Sequence, residues 1–300
     1  MLGRNKEAPE SRDSLEEVQP NSDVTALFSS LQLDQTHYKP FTRRRVQVPT
    51  HTEGSEKNVP GREGRIQVGV FSPMGGAGKS TLAASLGSML CRHEKRILLI
   101  DTSPWQTLSF HYGATELRSG MRSFFSPESG ESVVHIAVCT QDDDVAPDLS
   151  SLISTMPLDC ILFDMGGLSG ATLLAHLQRC DIVLVPLLPD ASAVRLALVV
   201  KSLLGGLDTI PARVMFVLNQ MDDSPLSRDI HRLLAQSLGG QLFPSVIYRQ
   251  PEVQQAMVHG IVLPSYAPDA QAVIVCDEIV RWIQLPEPEQ TKIGQRWSER

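Results

Sequence analysis

The chain has 300 residues, 42% of them hydrophobic and 20% charged, which is enough to bury the core of one α/β domain with an appendage. A formal net charge of -7 argues against a dedicated nucleic-acid binder. The five cysteines are scattered, with no C-x-x-C and no histidine at metal-ligand spacing, and so read as buried free thiols in a reducing cytoplasm.

Residues 1–65 are polar and rich in Glu, Ser, Arg and Asn, the composition of a largely disordered arm. One island stands out near 23–33. Val24, Leu27, Phe28 and Leu31 fall at i, i+3, i+4 and i+7, with Ser22 or Asp23 available as N-cap, predicting a short amphipathic helix. Such a helix either docks in a partner's groove or folds back on its own domain. Arg43, Arg44 and Arg45 read as a solvated linker. The N-terminus lacks the charged-then-apolar form of a secretory signal, and no apolar run approaches the length of a membrane span, so the expectation is a cytoplasmic protein.

An ATPase-like domain is expected over 66–285, organised around Ser72–Thr81. An apolar run, Ile66–Phe71, leads into a glycine-rich loop, then Lys79, Ser80 and Thr81, then a helical pattern to Arg92. Strand, loop and helix in this order are the context of a phosphate-binding loop. Gly75, Gly76, Ala77 and Gly78 let successive N–H groups face phosphate oxygens, and the following helix adds its positive end. Lys79 is suited to the β/γ-phosphates and Ser80 to a Mg²⁺ shell. The pattern G-x-x-x-x-G-K-S/T is missed at one place, where Pro73 holds the first glycine position.

Beyond the loop, strands are predicted at Arg96–Asp101, Val133–Cys139, Cys160–Asp164, Ile182–Pro186, Val214–Asn219 and Leu242–Ile247. Helical patterns alternate with them, roughly at 146–156, 171–179, 191–204, 226–238, 251–259 and 270–283. The fold class is therefore α/β, a mainly parallel doubly wound sheet of the P-loop NTPase type. The loop, Asp101, Asp164 and Asn219 all lie at strand carboxyl ends, where such sheets bind ligands. Asp164, followed by Gly166 and Gly167, suits a Mg²⁺ water and a γ-phosphate sensor. Asn219 offers an amide that can read an adenine edge, or it simply starts the turn that runs to Asp223. The polar tail 286–300 has no apolar face and so does not support direct membrane insertion.

The segment Met74–Thr81 with the Asp101, Asp164 and Asn219 strands resembles the MinD/ParA-like group of P-loop ATPases, as does the stretch Ser245–Leu263. Within that group, Leu99–Ser103, Ser109–Gly120 and Leu218–Asp222 are similar to the cellulose-biosynthesis BcsQ (YhjQ) branch. The island through Asp34, His37, Tyr38 and Lys39 resembles BcsR, the short partner of that branch. The resemblance implies ATP and Mg²⁺ as cofactors, with Lys79, Ser80, Thr81 and the loop residues binding phosphate. It also implies Asp101 and Asp164 as the catalytic and metal-organising carboxylates, and Asn219 at adenine. Implied partners are components of a membrane-bound cellulose synthase complex, with a possible homodimer and recruitment to the inner face of the membrane through those partners. A partition or positioning ATPase for another cargo, or a structural subunit with a relic loop, are the alternatives.

Two positions depart from the group. Met74 stands where the group has a signature lysine that reaches a partner's nucleotide, and Ser103 where it has a water-orienting aspartate. Loss of such a positioning group costs on the order of 10²–10⁴ in rate. ATP binding with slow or absent hydrolysis is the expectation.

Overall fold

The computed structural model describes residues 65–118, 120–125, 133–139, 153, 155–206 and 213–285. The expected island near 23–33, the arginine triplet, most of the expected helix at 146–156 and the polar tail lie outside them.

Among the described residues, seven strands form one sheet: β1 Ile66–Val70, β2 Ile97–Asp101, β3 Gly120–Phe125, β4 Val133–Val138, β5 Cys160–Asp164, β6 Ile182–Leu187 and β7 Arg213–Leu218. Their order across the sheet is β3-β4-β2-β5-β1-β6-β7. Every pairing is parallel except β3 with β4. The helices are α1 Lys79–Arg92, α2 Thr107–Phe110, α3 Gly170–Leu177, α4 Ala193–Gly205, α5 Pro225–Leu238, α6 Pro251–Val258, α7 Leu263–Tyr266 and α8 Gln271–Gln284.

The central strands are apolar throughout because both of their faces are covered. Along β2, Ile97 and Leu99 enter one core while Leu98 and Ile100 enter the other; along β5, Cys160 and Leu162 oppose Ile161 and Phe163 in the same way. The first core takes α1, α6, α7 and α8, and the second takes α3, α4 and α5. Helix α1 is buried over Leu82–Cys91, with small residues on several sides. At Gly87 an added Cβ would lie 2.8 Å from a Leu99 methyl and 3.2 Å from the Tyr112 hydroxyl, so an alanine there would require the Leu99 side chain to shift. Cys91, Cys160, Cys180 and Cys276 are buried and Cys139 is half-buried, all as free thiols.

Four elements differ from expectation: the helices α2 and α7, of 4 residues each, are too short to leave a periodic signal, and the other two concern strands. Leu242–Ile247 is not a strand: Phe243 N and Ile247 N donate to Phe216 O and Leu218 O of β7, at 2.7 and 2.9 Å, but Pro244 has no N–H with which to continue the ladder. Strand β3, which is not among the predicted strands, is an antiparallel edge strand. Its residues carry Arg122 and Ser123 between apolar neighbours, too weak an alternation to mark a strand.

Candidate functional site

Strand β1 delivers the chain into the loop 72–78, and α1 carries it away. Gly76 and Gly78 take φ of 71° and 86°, the left-handed region that glycine enters without a Cβ clash. Among the described residues, an added Cβ at Gly75 or Gly76 would meet nothing within 4 Å. The N-terminus of α1 has no side-chain cap and no acidic residue in its first turn. Its free N–H groups and positive end are therefore left for an anion. Lys79 Nζ donates to the Met74 carbonyl at 3.1 Å, folding the cation back over the loop. Partial burial lowers its pKa, and the Asp164 carboxylate opposes that shift.

Strands β2 and β5 pair in register with Asp101 opposite Asp164, which brings both carboxylates to one end of the sheet. They are not equivalent. Asp101 Oδ1 accepts from Ser103 N and Oδ2 from Leu108 N, both at 2.9 Å, so this carboxylate organises the turn into α2. Burial pushes it up to about 6 against those backbone donors. Asp164 is fully buried, and among the described residues neither of its oxygens has a hydrogen-bond partner within 3.5 Å. Burial pushes it up to about 7, a rise opposed by the Ser80 hydroxyl and Lys79 and increased by the charge of Asp101. Ser80 Oγ itself pairs with Thr107 Oγ1 at 2.9 Å.

A buried, orphaned carboxylate beside a serine hydroxyl and a second carboxylate is a hard-oxygen donor set, which fits Mg²⁺. Among the described residues no group of three or more His, Cys, Asp and Glu could hold a metal unaided. That fits an ion bound through one or two protein carboxylates together with a phosphate.

A Cβ at Gly166 would lie 3.6 Å from Asp164 Oδ1, 3.7 Å from Ser103 Cβ and 3.9 Å from Lys79 Cε, so these four residues share one small volume. Gly167, read from the sequence as a phosphate sensor, packs on the loop after β2: a Cβ there would collide with the Thr102 carbonyl and lie 2.8 Å from Pro104 Cδ. Thr102 in turn donates its hydroxyl to Asp164 O at 2.7 Å. Ser103 is buried, and its Oγ accepts from Trp105 N at 3.3 Å. Thr81 Oγ1 is 3.5 Å from Nε2 of His111, a buried imidazole pushed down to about 4 by desolvation and hence neutral near pH 7. Met74 packs into the second core with Phe71 and Ala77.

Asn219 sits at the loop, as its strand-end position implies, but its amide is already engaged. Nδ2 donates to Ala77 O at 2.8 Å, and Oδ1 accepts from Gln220 N at 2.9 Å. This donor-and-acceptor pairing fixes the amide orientation and leaves one N–H and one lone pair for any base. Gln220, Thr102, Thr107 and His111 were not singled out in the sequence. Their residue types occur in any turn, and only long-range packing brings them to the loop.

A glycine-rich loop between strand and helix, with a lysine at the helix start and paired strand-end carboxylates, defines a P-loop nucleotide-binding α/β fold. The family model described as the CobQ/CobB/MinD/ParA nucleotide binding domain matches residues 68–263, and the chain belongs to that family. No curated protein matches the chain in sequence. Among solved structures, a ParA family ATPase from Chlorobium tepidum TLS superposes with a TM-score of 0.58 at 17% identity, covering 74% of this chain and 98% of that one. The septum site-determining protein MinD from Pyrococcus horikoshii OT3, complexed with Mg-ADP, gives 0.53 at 15% identity, covering 73% and 96%. Cobyrinic acid a,c-diamide synthase from Mycobacterium smegmatis, with bound ADP and magnesium, gives 0.55 at 17%, covering 73% and 94%. At these identities the likeness shows the shared fold.

Proposed function

We propose that the chain binds Mg-ATP at this loop and acts as a nucleotide-gated MinD/ParA-type scaffold of the BcsQ branch. In this reading it assists or positions a membrane-bound cellulose synthase complex, with a possible homodimer formed across the loop face. The observation that carries the nucleotide reading is the buried Asp164 carboxylate beside Lys79 and Ser80, whose oxygens have no hydrogen-bond partner within 3.5 Å among the described residues. Such a group is costly unless a ligand completes it. Gly75–Gly78, the α1 N-terminus and Lys79 would hold phosphate; Ser80 and Asp164, with Asp101 behind them, would hold Mg²⁺; Asn219 would offer its remaining valences to adenine. The ion supplies charge neutralisation of the phosphates. Met74 and Ser103 support slow or absent turnover, because neither can place a charge on an attacking water.

The cellulose-synthase assignment rests on the sequence resemblance to the BcsQ branch. Similarity to MinD and ParA structures is equally compatible with a positioning ATPase for another cargo. Lys79→Ala is expected to abolish Mg-ATP binding in a calorimetric titration, and unchanged affinity would sink the nucleotide reading. Affinity capture of the full chain with ATP is expected to retain cellulose synthase subunits; retention of a different assembly in their place would favour the other cargo.

A further inference from the structure

Strands β1 and β7 are separated by β6, yet the residues just past β7 hold the loop just past β1. Gln220 Nε2 donates to Gly76 O at 2.7 Å, next to the bond from Asn219 Nδ2 to Ala77 O at 2.8 Å. In a trans peptide the C=O and N–H point in opposite directions. Drawing these two carbonyls toward β7 therefore turns the Ala77 and Gly78 N–H groups to the other side of the loop. Successive N–H groups arranged in this way form an anion-binding concavity. Gln220 is itself held in place. Its φ is 58°, and its own N–H donates to Asn219 Oδ1 at 2.9 Å. The following residue, Met221, donates to Ile247 O and accepts from Arg249 N, each at 2.9 Å. A residue with a side chain persists in left-handed backbone where its surroundings over-determine it.

We infer that Gln220 is a positioning residue for phosphate: its side-chain N–H fixes the Gly76–Ala77 peptide so that the loop amides are aimed before the ligand arrives. It has no need to touch the nucleotide. The inference rests on the reading of this loop as the nucleotide site and adds a residue, Gln220, that neither the motif nor the family match assigns.

The test uses the full chain, Mg-ATP and Mg-ADP as probes in calorimetry, and thermal melting without nucleotide. Gln220→Glu keeps the shape but offers the Gly76 carbonyl no donor. Gln220→Gly suits the left-handed backbone and removes the side chain. Both variants are expected to weaken ATP and ADP by the same factor, about 3–10-fold, the range that one neutral hydrogen bond supports. The Gly variant is expected to melt within ~2 °C of wild type, which separates aiming of the loop from support of the fold. If wild type binds and Lys79→Ala does not, while both Gln220 variants bind like wild type, the inference falls and the nucleotide reading stands. Weakened binding accompanied by lower melting in both variants would overturn it in favour of a purely structural role. Absence of binding by wild type would remove the nucleotide reading itself, and this inference with it.

Discussion

At position 103 a buried hydroxyl sits in the volume shared by Asp164, Gly166 and Lys79, where the family resemblance implies a water-orienting carboxylate. Binding energy from Lys79 and a metal acts on ground and transition states alike, so it gives affinity without turnover. Ser103→Asp is therefore expected to raise Mg-dependent ATP hydrolysis above a wild-type rate well below ~1 s⁻¹. The check is steady-state phosphate release, and an unchanged rate would show that position 103 is not the limiting element. The same reasoning does not extend to Met74. Its side chain is buried among Phe71 and Ala77, so a lysine there must place a charge against apolar neighbours. Met74→Lys is expected to cost about 1–2 kcal/mol and lower Tm by roughly 5 °C, read by thermal melting without nucleotide. A Tm equal to wild type would mean that the side chain escapes to solvent.

The loop after β2 and the turn after β5 act together as elements. The Thr102 N and Oγ1 both donate to Asp164 O, at 3.3 and 2.7 Å, and Gly167 then packs on the Thr102 carbonyl. An alanine at 167 must displace backbone that is tied at both ends, which is the expensive kind of overpacking. Gly167→Ala is expected to destabilise by about 2–3 kcal/mol. Gly75→Ala, whose Cβ meets nothing within 4 Å, should leave Tm within ~2 °C of wild type. Differential scanning fluorimetry of the two variants side by side is the check, and equal melting would deny the packing role of Gly167.

Across the whole molecule, the buried carboxylates make ligand binding and stability respond oppositely to pH. Asp101 and Asp164 titrate at about 6 and about 7 in the fold, above the ordinary carboxylate value, because burial disfavours the charge. From about pH 4 to 7 the folded chain thus holds protons that the unfolded chain releases, so these two groups reduce stability as pH rises. His111 has the reverse sign. Held near 4 by burial, it stabilises the neutral-pH fold, and that contribution is lost as pH falls from about 6.5 toward 4. A metal needs the carboxylates ionised, so Mg-ATP affinity should rise between pH 6 and about 7.5 with proton release, and Asp164→Asn should flatten the profile. Calorimetry in buffers of different ionisation enthalpy measures the released protons. A pH-independent affinity in the wild type would show that Asp164 does not face the ligand.

Ser72–Thr81 and the apolar strands ending in Asp101 and Asp164 were legible in the sequence because glycine placement, helix starts and strand periodicity are properties of neighbouring residues. They determined the doubly wound sheet and the end of it that carries the candidate site. The bonds from Gln220 to Gly76 and from Asn219 to Ala77 join residues 144 and 142 positions apart, and only the packing of β1, β6 and β7 sets that approach. The same holds for the inequality of the two carboxylates. Asp101 is satisfied by the turn that follows it, whereas Asp164 is stranded in the interior by the strands on either side. Residue type names what a group can do, but burial and the direction of its partners decide what it is left to do, and both are set by the tertiary fold.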